Sequence, residues 1–175
     1  MKKVLLTMMV AMMATVSVNA QIPKRYNTEN YKRGVELVEE GKLDEGAKFL
    51  EAELKDNPKN PYTNYYITTV YMGLKQYDKA LVSVDKALEY LPKRHKEMRG
   101  IAHALKATLH SGYGEWEEAV EQLTLCLSVL PKDEYGHRAM AYAQRADMYY
   151  KLGQYGLADK DILKSKELMS LSKTE

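Results

Sequence analysis

The chain repeats itself with a period of 34 to 39 residues, and this repeat constrains the fold more than any other feature. An aromatic residue or leucine is followed three residues later by a small residue, and four residues after that by an aliphatic one. The aromatic or leucine positions are Leu43, Tyr77, Trp116 and Tyr155. The small residues are Gly46, Ala80, Ala119 and Ala158, and the aliphatic ones are Leu50, Val84, Leu123 and Ile162. Internal repeats of this length are typical of stacked supersecondary units.

Each copy has a first half with the same kind of pattern and a glycine between the two halves. Small residues recur at Gly34, Thr68, Ala107 and Ala146. The glycines between the halves are Gly41, Gly73, Gly114 and Gly153. The first three copies end at Pro58, Pro92 and Pro131, and Ser170 takes that place in the fourth.

This pattern predicts helical hairpins. Apolar and small residues at steps of three and four share one helix face, and small residues let two helix backbones approach closely. Proline cannot continue a helix, so it ends the second helix of each copy. One hairpin cannot cover its own apolar face, whereas stacked hairpins can. The sequence therefore predicts an all-α fold.

The motif resembles the tetratricopeptide repeat (TPR), whose pattern is a small residue and a tyrosine in the first helix, Ala-x3-Phe in the second, then proline. The resemblance gives units of about 27–60, 61–94, 100–133 and 139–172, after a short segment over 21–26 and before a tail over 173–175. It implies an α-solenoid, a right-handed superhelix of about four hairpins. It also implies a concave groove that serves as a platform for protein partners.

Two family positions depart from the pattern. The usual tryptophan is replaced by Asn30, Asn64, His103 and Tyr142. The usual leucine three places later is Arg33, Ile67, Lys106 and Arg145. A long charged side chain can lay its stem along an apolar seam, but three charges at one packing position indicate an unusual stack or a partner at that face.

The third and fourth units each begin after five additional residues, HKEMR at 95–99 and EYGHR at 134–138. These insertions are similar at a shift of 39, where Arg99 falls on Arg138. We expect them to lengthen the first helix of each unit by about 7.5 Å. A longer loop is the alternative, which Gly136 favours.

Residues 1–20 have a different composition. Lys2 and Lys3 precede an apolar run that ends at Val18-Asn19-Ala20, which is the layout of a signal peptide cleaved before Gln21. A membrane anchor is the alternative, although the run is shorter than a spanning helix requires. Cleavage predicts an exported protein, periplasmic or secreted, with no stable membrane insertion.

Without Lys2 and Lys3, the 26 basic residues fall to 24 and equal the 24 acidic ones. A neutral chain has no basic field for nucleic acid, so no nucleic-acid partner is predicted.

The sequence predicts no enzyme, no cofactor and no metal site. Motifs for a nucleophile elbow, a zinc protease or a phosphate loop are absent from the sequence. His95, His103 and His110 are each about two helical turns apart, too far to share one metal. Glu117, Glu118, Asp159 and Asp161 have the spacing of a solvated face. Cys126 lies in an apolar run and is interpreted as a small buried hydrophobe.

The TPR resemblance places a partner-binding groove on the first helices. Its positions select Tyr31, Val35, Tyr62, Tyr65, Thr69, Met72, Ala104, Thr108, Met140, Ala143, Asp147 and Tyr150. Arg99 and Arg138 are predicted to form a charged rim. A groove lined by aromatic residues suits a peptide with apolar side chains. Packing of these rings between hairpins is the alternative.

Three functional hypotheses follow. The first is an adaptor that binds a protein or peptide of a bacterial envelope in the groove. The second is a self-assembling component, a homodimer through the C-terminal repeat, unless Lys160, Lys164 and Lys166 cap the last helix. The third is a ligand- or glycan-binding accessory of an uptake or cell-wall system.

Overall fold

The structure is a computed structural model that describes residues 22–172. The predicted signal peptide and the tail over 173–175 lie outside these residues. Within them the chain forms one short 3-10 helix, Lys24–Tyr26, and eight α-helices, with no β-strand. The all-α fold of four helical hairpins that the repeat predicts is therefore confirmed.

Two compact units divide the chain between Tyr90 and Leu91. The helices of the first unit are α1 Glu29–Glu39, α2 Leu43–Asp56, α3 Pro61–Gly73 and α4 Tyr77–Tyr90. Those of the second unit are α5 Lys96–Tyr113, α6 Trp116–Val129, α7 Tyr135–Lys151 and α8 Tyr155–Leu171. Each unit thus holds two hairpins, and within each unit the second helix of one hairpin packs on the first helix of the next.

Small residues bring the paired helices together as the pattern predicts. A Cβ atom on Gly34 would lie 2.7 Å from the side chain of Leu50, and one on Gly46 would lie 2.7 Å from Val38. Such distances are far below van der Waals contact, so at each glycine a side chain of one helix packs directly on the backbone of the other. The apolar residues around them then fill the hairpin interior.

The turn inside each hairpin uses one residue in the left-handed conformation. Gly41, Gly114 and Gly153 have φ of 79°, 82° and 71°. In the second hairpin the equivalent residue is Lys75, with φ of 60°. Gly73, which the sequence pattern aligned with the other three glycines, lies at the end of α3 instead. The turn therefore tolerates a lysine where the pattern led us to expect glycine.

A buried polar network joins α2 to the start of α3. The Glu53 carboxylate is buried and accepts hydrogen bonds from the side-chain amides of Asn57 (3.0 Å) and Asn60 (2.9 Å), and from the Thr28 hydroxyl. The Asn60 side chain also accepts from the backbone N–H groups of Tyr62 (3.1 Å) and Thr63 (3.3 Å), which caps α3. Pro61 follows this cap, a position that proline favours.

The five-residue insertions are helical. α5 has 18 residues and α7 has 17, whereas α1 has 11 and α3 has 13. α5 begins at Lys96 and α7 at Tyr135, so four residues of each insertion extend its helix. The expected lengthening is confirmed, and Gly136 lies within the first turn of α7 without breaking it.

The conformation of Lys75 gives a stability prediction. A non-glycine residue in the left-handed region costs about 1–2 kcal/mol, and glycine recovers this less its own entropy loss of about 0.5–1 kcal/mol. The Lys75 side chain is exposed, so Lys75→Gly removes no buried contact. We expect Lys75→Gly to raise the free energy of unfolding by about 0.5–1 kcal/mol in urea titrations followed by circular dichroism.

Gly41→Lys is the opposite substitution, made at the equivalent turn position of the other hairpin in the same unit. A Cβ on Gly41 would meet no atom within 4 Å, so only the backbone conformation opposes the change. We expect Gly41→Lys to lower the free energy of unfolding by about 1 kcal/mol. Equal stability of both variants and the natural chain would contradict the assignment of strain to Lys75.

Candidate functional site

In the first unit the predicted groove residues are largely inside the protein. Tyr31, Tyr62, Tyr65, Thr69 and Met72 are all buried, and Val35 is half-buried. The cause is α3, which buries eleven of its thirteen residues and so offers no wide open face. Their burial favours the alternative that these rings pack between hairpins, and a partner-binding groove at these residues stays a prediction.

The tyrosines of the first unit pack against one another. Tyr66 makes edge contacts with Tyr31 (ring centroids 5.9 Å apart) and with Tyr65 (5.5 Å), and Tyr62 contacts Tyr26 (5.8 Å). Burial raises the pKa of Tyr66 to about 12, and burial is also the main cause of a raised pKa for Tyr31. These hydroxyls stay protonated at physiological pH, as expected for interior packing groups.

The second unit leaves its predicted groove residues accessible. Ala143, Asp147 and Tyr150 are exposed on α7, while Ala104, Thr108 and Met140 are half-buried. Ala104 packs in part against the apolar cluster of this unit. Tyr150 is 45% exposed, and its hydroxyl donates to Asp159 (3.2 Å). Partner binding by these residues stays a prediction.

The two arginines of the predicted rim bind backbone carbonyls. The Arg99 guanidinium donates to the carbonyl of Leu91 (2.8 Å), and Arg138 donates to those of Leu127 (2.9 Å) and Leu130 (3.2 Å). Both arginines belong to the five-residue insertions, so each insertion supplies a donor to the chain just before it. This structural role accounts for the equivalent placement of both residues, and a rim function stays a prediction.

Arg145 explains one departure from the repeat pattern. Its guanidinium forms a two-point ion pair with Asp161 (2.7 and 3.0 Å), donates to Thr124 (3.0 Å) and lies over the rings of Tyr142 and Tyr149. Asp161 is buried, so its assignment to a solvated face is wrong. The charge at this position therefore cross-links α6, α7 and α8, where the family pattern would place leucine.

His103 and His110 have separate partners. His103 lies 2.9 Å from the Gln122 amide oxygen, and His110 lies 2.6 Å from Glu115. Burial lowers the pKa of His103 and of His95, although the hydrogen bond to Gln122 opposes the shift at His103.

Glu97, Glu134 and His137 form a mixed group that no sequence motif indicates. Their donor atoms lie within 4.8 Å of one another, and His137 pairs with Glu134 at 3.1 Å. Three such ligands could bind a divalent cation. However, both glutamates lie at helix N-termini, where the helix dipole favours a carboxylate and opposes a cation. The placement is therefore accounted for without a metal.

Solved structures share this fold at low sequence identity. BtubC (BKLC) from P. vanneervenii superposes with a TM-score of 0.73 and 13% identity, over 83% of this chain and 64% of that chain. MamA from Desulfovibrio magneticus RS-1, residue 41 to the end, gives 0.68 and 18% over 81% and 74%. A putative kinesin light chain from Podosopora anserina with nearly identical TPR-like repeats gives 0.63 and 18% over 98% and 87%.

The fold is that of a TPR-like helical repeat protein. The comparisons carry this conclusion for the fold alone, because all identities lie far below those of close relatives. This chain spans less than two thirds of the BtubC chain. No family model matches the sequence, and no curated protein matches it either. Among the described helices, none has the length and apolarity to cross a bilayer.

The single cysteine gives a testable property of this interior. Cys126 is buried in the cluster of the second unit, and burial raises the pKa of its thiol to about 12. The thiolate is the reactive form. At pH 8 we expect the folded protein to react with a disulfide reagent at least about a hundredfold more slowly than the protein in guanidinium. Equal rates would contradict the burial of this residue.

Proposed function

We propose that this protein is an exported, non-enzymatic scaffold that binds a protein or peptide partner on the second unit. The observation that carries the proposal is the accessible face of α7, which consists of Met140, Ala143, Asp147 and Tyr150 and which we call the α7 face. These residues are spaced by three, four and three, so they share one side of the helix. The TPR-like fold supports a scaffold because such repeats present first-helix faces to partners.

The chemistry of the α7 face fits a peptide or helix of mixed polarity. Tyr150 supplies a rigid ring with a polar tip, the kind of residue that anchors interfaces. Ala143 leaves room for a partner side chain beside it, and Asp147 offers a charge that attracts a basic group. The face is small, so binding of a single peptide segment is favoured over a large flat interface.

The α5 helix carries repeat-equivalent residues that extend the α7 face. Ala104 and Thr108 stand 39 residues before Ala143 and Asp147, so they take the equivalent places one hairpin earlier. Both are half-buried, and α5 contacts α7 within the second unit. A partner on the α7 face would therefore reach the α5 positions through small side chains.

Photo-crosslinking in the native host tests the site. We expect p-benzoyl-phenylalanine in place of Ala143 to give one dominant crosslinked partner. The same label in place of Glu121, which is exposed on α6 away from this face, should give none. Equal products from both positions would contradict a specific site on α7.

A matched pair of tyrosine variants sharpens that result. Tyr150→Ala should reduce the yield of the Ala143 crosslink about tenfold or more, because it removes the aromatic anchor. Tyr113 is 46% exposed against 45% for Tyr150, but it lies outside the face, so Tyr113→Ala should leave the yield unchanged. Loss of the crosslink in both variants would indicate a general effect on folding.

Export is supported by the composition of residues 1–20. We expect the protein from its own host to begin at Gln21 and to be recovered outside the inner membrane without detergent. Intact-mass measurement after cell fractionation tests this. An unprocessed chain that requires detergent would instead support the alternative of a membrane anchor.

A further inference from the structure

The helix α8 carries a stripe of regularly spaced residues that are exposed except for the half-buried Ile162 at its centre. Tyr155, Asp159, Ile162, Lys166 and Met169 follow one another at steps of four and three, the spacing of a helix-pairing seam. We call these five residues the α8 seam. Tyr155 is 60% exposed, Met169 is 50% exposed, and Leu163 beside them is 67% exposed. Large apolar groups this accessible on one side of a helix are typical of a surface that packs against another element.

The equivalent stripe on α6 shows what such a surface does. Its residues stand 39 positions earlier and are Trp116, Val120, Leu123, Leu127 and Leu130, the last of which directly follows the helix. Leu123, Leu127 and Leu130 are buried in one cluster with Ala141 and Met148 of α7. Trp116 and Val120 pack against the same cluster. On α6, therefore, this stripe holds a neighbouring helix.

Two residues distinguish the α8 seam from its counterpart. Val120 and Leu127 of α6 become Asp159 and Lys166 in α8. These two charges are separated by about 10.5 Å along one helix, too far to pair with each other. Asp159 stands three residues before the central Ile162 and Lys166 four residues after it, while Tyr155 and Met169 stand seven residues to either side, so the seam is close to complementary to its own reverse. An unrelated partner would not require that symmetry.

We infer that the protein forms a homodimer in which two α8 seams pack antiparallel about a two-fold axis near Ile162. Asp159 of one copy then faces Lys166 of the other, twice, and Tyr155 faces Met169. This is the self-complementary interface that a two-fold axis requires. The α8 helix has 17 residues, about 25 Å in length, so the interface is small and the dimer dissociates on the order of micromolar concentration.

The three lysines that we considered as a polar cap of the last helix leave most of the α8 seam uncovered. Lys160 lies on another side of α8 by helical periodicity, and Lys164 pairs with Glu167 at 2.8 Å. Of the three lysines, only Lys166 belongs to the seam. The seam meets the α7 face at Tyr150, whose ring centroid lies 5.5 Å from that of Tyr155 and whose hydroxyl donates to Asp159. Sedimentation of the purified protein measures the dimer without any partner, so the inference can fail while the proposed function holds.

Charge reversal tests the pairing in the processed, purified protein by sedimentation velocity over a range of concentrations. Asp159→Lys and Lys166→Asp each place like charges across the axis, so each should weaken dimerisation about tenfold or more. The double variant restores opposite charges and should dimerise within about threefold of the natural chain. Circular dichroism and thermal melting establish that each variant is folded.

One control isolates the seam. Lys160→Asp changes the charge by the same amount away from the seam and should leave dimerisation unchanged. A monomer at every concentration would overturn the inference. The inference would also be overturned if neither charge reversal weakened dimerisation, or if the double variant did not restore the dimerisation that the single variants had lost.

Discussion

A helical hairpin can bury only one side of its second helix, and the rest of this structure depends on how that helix is covered. Within the second unit, the α6 stripe is covered by α7, and the apolar cluster around Leu123 results. Within the first unit, α2 meets α3 through a buried carboxylate as well as apolar residues. The second helix is thus covered by apolar packing in the second unit, and by apolar packing together with a buried carboxylate in the first.

The buried polar networks around Glu53 and Arg145 stabilise the fold in the same way. Glu53 accepts from two amides and a hydroxyl, and Arg145 is held at two points by Asp161. A buried charge without such partners would cost several kcal/mol, so each network favours one alignment of its helices over others. Apolar side chains tolerate small sliding between helices, whereas these bonds do not. The networks are therefore suited to fixing register.

The sequence predicted the elements well because their signals are local. Steps of three and four, the prolines and the paired insertions lie within a few residues of the helices that they define. The sequence left the burial of Tyr62 and Tyr65 open because it depends on tertiary packing, which covers α3 on nearly all sides. The partner of Arg145 was missed because it lies 16 residues away on another helix. Gly73 was misaligned because a lysine adopts the left-handed conformation two residues later.

The packing of Trp116 has a practical consequence. It is the only tryptophan among 175 residues, and it lies against the α6 and α7 cluster. Its fluorescence therefore reports on the second unit alone, whereas the helical circular dichroism signal sums both units. A comparison of the two melting curves would show directly whether the halves of this protein unfold as one body or in sequence, without any added label.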